Sequence, residues 1–336
     1  MRALFLGFGH VGRRLAEILA DRSAWPGLAG LEVSVVGIVT GSKGALLDPE
    51  GLDLAEALTR FRAHGRFPAG LPAHSAIHGL EAARSLDYDV LVEMTPLDLQ
   101  GQGRESIHHV RTALARGRHA VSANKGPLAW GYAELHALAQ AQGVSFLHEA
   151  AVMDGAPVFN LARCGLRGVV IHRLEGLLNS TTNFVLDAME EGSSLQAAVE
   201  EAQRIGVAEA DPALDLDGWD AAVKISALAN VLLGANLPPE AVERQSLSDL
   251  RPGILGSARE RGCRTKMVCE VGWEEDRIVG RVRAREVPLD DPFALVTGTG
   301  SILRITTDLA GTIVLTEESP NLTTTAYGIL SDLLSL

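Results

Sequence analysis

Two groups of residues in this 336-residue chain have the types and spacing to do chemistry. The first is Gly7-Phe8-Gly9-His10-Val11-Gly12, a G-x-G-x-x-G run with apolar Ala3 to Leu6 before it and an amphipathic stretch, Val11 to Ala20, after it. In a strand–turn–helix, the first glycine permits the tight turn, the second lets backbone approach a pyrophosphate, and the third lets the helix lie close to the strand. Amides at the helix start then face the phosphates, so this turn predicts dinucleotide binding. The second group is Asp220 and Lys224, four residues apart and therefore on one face of a helix. Their neighbours Ala221, Ala222, Val223 and Ile225 are apolar, which makes a plain solvated pair less natural. A lysine whose proton affinity is lowered by its surroundings can exchange a proton with a substrate hydroxyl. That is one half of alcohol oxidation; a nicotinamide takes the hydride.

The end of the second expected strand bears on which nicotinamide cofactor is used. NAD-binding folds usually place Asp or Glu there to accept from the ribose hydroxyls. This chain has Thr40-Gly41-Ser42-Lys43, with hydroxyls and a cation but no carboxylate. A 2′-phosphate suits that environment, so NADP is favoured and NAD remains open. Thr95-Pro96, after the third expected strand, stands at the same rim and is a candidate for the nicotinamide site, or a plain loop turn.

The elements that must position these groups fall into two patterns. Up to about residue 150, buried strands (Ala3 to Leu6, Leu31 to Thr40, Asp89 to Glu93, His119 to Ser122, Val144 to Leu147) alternate with helices (Val11 to Ala20, Leu54 to Ala63, Glu105 to Ala115, Tyr132 to Gln142). Turn formers around Pro68 and Pro72 break an irregular stretch that runs through Gly79. This alternation predicts an α/β fold with a Rossmann-type parallel sheet. Beyond it come a strand at Val169 to Leu178 and helices at Thr181 to Glu190, Leu195 to Arg204 and Trp219 to Leu233. Period-two strands follow at Thr265 to Val271 and Ile278 to Val287, then a hairpin of Ser301 to Thr307 with Gly311 to Thr316. The expected division is a dinucleotide-binding domain over 1–150, completed by a returning C-terminal helix at 321–336, and an α+β substrate and dimerisation domain over 151–320.

Composition narrows the class further. Thirty basic and forty-two acidic residues give a formal net charge of −12, which argues against nucleic acid and against an anionic membrane surface. Cys164, Cys263 and Cys269 are odd in number and fit no zinc or redox spacing, as expected for thiols in a reducing cytoplasm. No apolar run approaches the ~20 residues that span a bilayer, and the chain start leaves no room for a signal peptide. The expectation is a soluble cytoplasmic enzyme.

Further segments carry a family resemblance. They are Ser122-Ala123-Asn124-Lys125-Gly126-Pro127, Glu149-Ala150-Ala151-Val152 leading to Gly155-Ala156-Pro157, and Asn179-Ser180-Thr181-Thr182-Asn183. The most specific is Gly206-Val207-Ala208-Glu209-Ala210-Asp211-Pro212, continuing to Asp215, Gly218, Asp220 and Lys224. Together with the glycine turn these resemble homoserine dehydrogenase over essentially the whole chain, in a form without an ACT or aspartate kinase domain. The resemblance implies NAD(P)-dependent interconversion of L-homoserine and L-aspartate 4-semialdehyde by a homodimer. It implies that Glu209 and Asp220 hold the polar end of the substrate and that Lys125 and Lys224 are the acid–base candidates, which the residues do not rank. Lys125 would also face the cofactor. Asn179 and Thr181 would bind substrate or simply cap the following helix. A monovalent cation, usually sodium, would sit on main-chain oxygens of Glu149, Val152, Asp154 and Ala156.

The chain departs from the family pattern in two places. Val207 replaces a frequent tyrosine, and Glu317-Glu318-Ser319-Pro320 replaces a glycine-rich stretch. Two other readings stay open. An aspartate-semialdehyde-type dehydrogenase would need a cysteine nucleophile. A non-catalytic NADP-sensing protein would not need Glu209, Asp220 and Lys224 together.

Overall fold

The apolar run after Met1 forms a strand with both faces covered, and the rest of the first sheet is laid down on either side of it. The computed structural model describes residues 1–71, 73–250 and 253–336; Pro72, one of the expected turn formers, lies outside them. The chain divides into two compact units. The first comprises Met1–Pro127, Gly131–Pro157 and Asn321–Leu336, and the second Leu128–Trp130 and Val158–Pro320.

In the first unit, β1 (Arg2–Leu6), β2 (Ser34–Val39), β3 (Ala45–Leu47), β4 (His74–Ser75), β5 (Val90–Glu93), β6 (His119–Ser122) and β7 (Phe146–Leu147) form one sheet. Its order is β4-β3-β2-β1-β5-β6-β7. The five strands from β2 to β7 through β1 run parallel, while β3 and β4 add an antiparallel edge. Chain order reverses at β1, so a topological switch point lies between β1 and β5, where open α/β sheets place ligands at the strands' carboxyl ends. The short strands β3 and β4 and the helix Gly79–Ser85 were not expected from the sequence. Three- and two-residue strands are too brief to show a period, and they lie in the irregular stretch before Gly79.

The helix His10–Ala20 buries Leu15, Ala16, Ile18 and Leu19 in one cluster with Ala326, Ile329, Leu330 and Leu333 of the C-terminal helix Leu322–Leu333. Polar contacts pin that helix at both ends. Arg14 Nε donates to Thr323 Oγ1 at 3.0 Å, and Glu149 N donates to Asp332 Oδ2 at 2.8 Å. Gly328 allows the close approach, because a Cβ there would stand 2.5 Å from the Asp154 carbonyl oxygen.

The second unit is α+β. Strands β8 (Ile171–Leu177), β9 (Glu243–Arg244), β10 (Cys263–Glu274), β11 (Arg277–Pro288), β12 (Ser301–Thr307) and β13 (Thr312–Glu317) form a sheet in the order β13-β12-β8-β10-β11-β9. All neighbours are antiparallel except β9 and β11. The expected strands at Thr265 and Ile278 grow into one long hairpin, whose tips alternate too irregularly to read from sequence. The helix Trp219–Leu232 packs on this sheet and buries Ala222, Val223, Ile225, Leu228 and Ala229. On the sheet, Lys266 is fully buried, and its three donors go to Asn183 Oδ1, Asp187 Oδ1 and the Val296 carbonyl at 2.7–2.8 Å. Burial holds its proton affinity below the ordinary lysine range, and the adjacent Asp187 carboxylate opposes that.

Gly328→Ala forces the C-terminal helix off the Ala150–Asp154 segment. The expected loss is about 1–3 kcal/mol, the usual scale for overpacking, read as a lower thermal midpoint. An unchanged midpoint would show that this contact is not tight.

Candidate active site

On the first unit the glycine turn leaves the carboxyl end of β1 and closes against the segment that follows β5. Gly7 has φ +99°, and a Cβ there would lie 2.4 Å from the Met94 carbonyl oxygen, so only glycine fits. Gly12 packs less closely but still tightly, with its Cβ position 3.0 Å from the Gly7 oxygen. Gly9 is different. It precedes the helix His10–Ala20, and nothing among the described residues stands within 4 Å of its Cβ position. Open space before a helix N-terminus is where a pyrophosphate needs to approach. Phe8 turns inward onto Phe61 and Phe67 and is buried, so it offers this site only its backbone. His10 is exposed and Val11 half-buried.

The loop after β2 is shaped by Thr40. Its hydroxyl accepts from Lys43 N at 2.8 Å and donates to the Gly44 carbonyl at 2.7 Å. The Lys43 ammonium and the Arg13 guanidinium both stand over the Phe61 ring, 5.7 and 5.5 Å from its centroid. Arg13 was not singled out in the sequence; its signal is its place one residue after Gly12. Ser42 is exposed on the same loop. Thr95 follows β5, with its N–H and hydroxyl both directed to Glu93. Lys125 follows β6 and stands at the N-cap of the helix Gly126–Trp130, half-buried.

The second unit gathers the polar residues around the helix Trp219–Leu232. Asp220 and Lys224 lie on one face, with Nζ 3.2 Å from Asp220 Oδ2 and 2.6 Å from the Leu178 carbonyl oxygen, to which it donates. Both side chains are less than one-fifth exposed. Asn179 caps the helix, as one of the two expected readings has it, and also reaches two carboxylates. Its Oδ1 caps the helix Ser180–Glu190 by accepting from Thr182 N, and its Nδ2 donates to Asp215 Oδ1 at 2.8 Å and Asp220 Oδ2 at 3.0 Å. Thr181 donates to Asp215 Oδ2 at 2.6 Å. Asp215, quoted in the sequence but given no role, thus joins the cluster. Glu209 does not: it is exposed on the loop before Pro212, where its carbonyl accepts from Gln203.

The segment Glu149 to Ala156 lies in the first unit. Glu149 and Val152 are buried, while Asp154 adopts φ +45° and its carboxylate accepts from the Thr325 hydroxyl. Ala156 N donates to the Met153 carbonyl at 2.8 Å.

The cysteines do not resemble a thioester-forming site. Cys164 is exposed, and burial pushes the Cys269 thiol up to about 12, against thiolate formation.

A glycine turn open to a nucleotide on a Rossmann-type unit, with a half-buried lysine–carboxylate cluster on an α+β unit, defines a dinucleotide-dependent oxidoreductase. Comparison with known proteins sharpens the class. Residues 157–334 match the homoserine dehydrogenase family, and residues 7–149 match the homoserine dehydrogenase NAD-binding domain. The homoserine dehydrogenase of Methanocaldococcus jannaschii is 35% identical over all of this chain and 98% of its own. An NAD(+)-dependent homoserine dehydrogenase of Pseudomonas canavaninivorans is 36% identical over 98% of this chain and 94% of its own. Among solved structures, a putative homoserine dehydrogenase from Archaeoglobus fulgidus superposes with a TM-score of 0.87 at 32% identity, covering 100% of this chain and 98% of that one. A hyperthermophilic archaeal homoserine dehydrogenase in complex with NADPH gives 0.84 at 29% identity, covering 99% and 96%. The chain belongs to the homoserine dehydrogenase family, a family of NAD(P)-dependent oxidoreductases.

The two glycines separate folding from binding. Gly7→Ala is expected to lower the thermal midpoint, because it adds a clash at a left-handed φ. Gly9→Ala is expected to leave the midpoint unchanged and to weaken NADPH binding roughly tenfold or more by blocking backbone approach. Fluorescence titration of NADPH checks this, and full affinity in Gly9→Ala would contradict the placement of the pyrophosphate.

Proposed function

We infer that the protein interconverts L-homoserine and L-aspartate 4-semialdehyde with NADP, and that Lys224 is its principal acid–base group. The carrying observation is the immobilisation of Lys224 Nζ between Asp220 and the Leu178 carbonyl. A proton carrier must be held at a fixed point to act in one step with hydride transfer. When bound, the nicotinamide supplies the acceptor or donor of the hydride. The Lys224 ammonium gives its proton to the aldehyde oxygen during reduction, and its amine takes the hydroxyl proton in the reverse direction. Asp220 and Asp215 offer negative charge for the substrate ammonium, with Glu209 as a third carboxylate available from its loop. Asn179 and Thr181 act on this reading by holding those carboxylates in place. Lys125 is the second acid–base candidate, positioned by the turn at the carboxyl end of β6.

Cofactor choice follows from charge. Arg13 and Lys43 over Phe61, with Thr40 shaping the loop and Ser42 exposed beside it, suit a 2′-phosphate. Gly7, Gly9, Gly12 and the backbone of Phe8, His10 and Val11 take the pyrophosphate, and Thr95 the nicotinamide end. The main-chain oxygens of Glu149, Val152, Asp154 and Ala156 are a hard donor set that fits a monovalent cation such as sodium. The left-handed Asp154 backbone turns this segment, and Thr325 holds it there. The cation would supply local order to the turn.

The reading includes a cytoplasmic homodimer. Three free cysteines suit a reducing compartment. One face of the second sheet carries Arg173, Glu175, Glu270, Arg283 and Arg304 with paired opposite charges, a pattern that can complement itself across a two-fold axis.

Lys224→Ala is expected to lower kcat by roughly 100-fold or more, the scale of a lost general acid–base group, with NADPH affinity retained. Near-normal kcat would remove Lys224 from the mechanism and leave Lys125. Lys43→Ala is expected to raise the NADP+ KM roughly tenfold, the scale of a lost charge-assisted hydrogen bond, without changing the NAD+ KM. Equal effects on both cofactors would contradict 2′-phosphate recognition.

A further inference from the structure

Glu93 is a fully buried carboxylate at the carboxyl end of β5, beside the switch point of the first sheet. A buried charge is costly unless every lone pair is occupied, and an apolar side chain would fill the same space without that cost. Here Oε1 accepts from Thr95 N at 2.8 Å and from the Thr95 hydroxyl, while Oε2 is 2.8 Å from His109 Nδ1. A carboxylate only accepts, so His109, itself buried, carries its hydrogen on Nδ1. His109 Nε2 makes no hydrogen bond among the described residues and lies 3.8 Å from the exposed Glu105.

The network continues outward from Thr95. Asn124 Nδ2 donates to the Thr95 carbonyl at 3.0 Å, and Asn124 Oδ1 accepts from Gly126 N at 2.8 Å. Ser122 Oγ donates to the Asn124 carbonyl at 2.8 Å. Side chains therefore tie the turn after β5 to the turn after β6, which carries Lys125. Gly7 seals the other side, since its Cβ position is 2.4 Å from the Met94 oxygen and 2.9 Å from Thr95 N. The Met94–Thr95 peptide held by Glu93 is thus a common floor for the glycine turn and the Lys125 turn.

We propose that Glu93, backed by His109, is a positioning residue for hydride transfer. Through Thr95 and Asn124 it fixes the nicotinamide end of the cofactor cradle and the Lys125 turn. This rests on the reading above that Thr95 and Lys125 serve that end. Glu93→Gln keeps the shape, and its amide oxygen can still accept from Thr95. Its new N–H2 group, however, faces His109 Nδ1–H and forces the imidazole hydrogen onto the unpartnered Nε2. An uncharged amide oxygen also binds the Thr95 donors less strongly than a carboxylate does, so the turn is loosened rather than removed.

The test measures kcat, homoserine KM, NADPH affinity and the deuterium isotope effect on kcat for wild type, Glu93→Gln, Asn124→Ser and the double variant. Each single variant is expected to lose about tenfold in kcat with a larger isotope effect, while KM and NADPH affinity stay within about twofold. The double variant is expected to be no worse than the poorer single one, because both cut the same connection. Unchanged kcat, multiplicative losses, or losses that merely track the unfolded fraction would overturn the proposal. If Glu93→Gln does not fold, Asn124→Ser decides by the same kcat-specific loss. Absence of homoserine turnover by the wild-type protein would overturn this proposal together with the functional reading. Wild-type turnover with an unaffected Glu93→Gln would overturn this proposal alone.

Discussion

The closure of Gly7 onto the Met94–Thr95 peptide is the constraint on which the first unit depends. It joins β1 to β5 at the point where chain order reverses, and it leaves no volume for a side chain. That contact aims the helix His10–Ala20 so that its first amides and the open space at Gly9 face outward. The C-terminal helix packs against the buried face of the same helix and completes the core. A binding turn of this kind is shaped by backbone contact first; its ligand chemistry follows from what the backbone leaves exposed.

The second unit solves a different problem, that of keeping three charged side chains close together and mostly out of water. Asp215, Asp220 and Lys224 are arranged by neutral donors and acceptors, namely the Asn179 amide, the Thr181 hydroxyl and the Leu178 carbonyl. Truncating such a partner leaves a charge without its hydrogen bonds, at a cost well above that of an exposed pair. These bonds hold the cluster in one arrangement, which the proposed proton-carrying role of Lys224 requires.

Much of this was legible in the amino-acid order. The glycine turn is a local motif with its strand and helix in place, and Asp220 with Lys224 is a single helical turn. Asn179 at the start of a helix was legible as a cap, but its grip on Asp215 and Asp220 joins residues about 40 positions apart, which no local pattern carries. Glu209 shows the converse. It belongs to the most specific run of the sequence, yet its side chain lies exposed and outside the hydrogen-bonded cluster. Glu93 and His109 read as ordinary strand and helix residues, because only the packing of helix Arg104–Ala115 on β5 brings them together. The edge strands β3 and β4 were missed because their few residues have no period to show.

On the proposed function, hydride passes directly between the homoserine side-chain carbinol carbon and a nicotinamide on this protein. The most direct measurement incubates the purified protein with NADP+ and L-homoserine deuterated at that carbon, then analyses the reduced cofactor by mass spectrometry. Direct transfer gives NADPH one mass unit heavier, formed in step with aspartate 4-semialdehyde. Reduced cofactor without the label, or no homoserine-dependent reduction of NADP+ or NAD+, would contradict it.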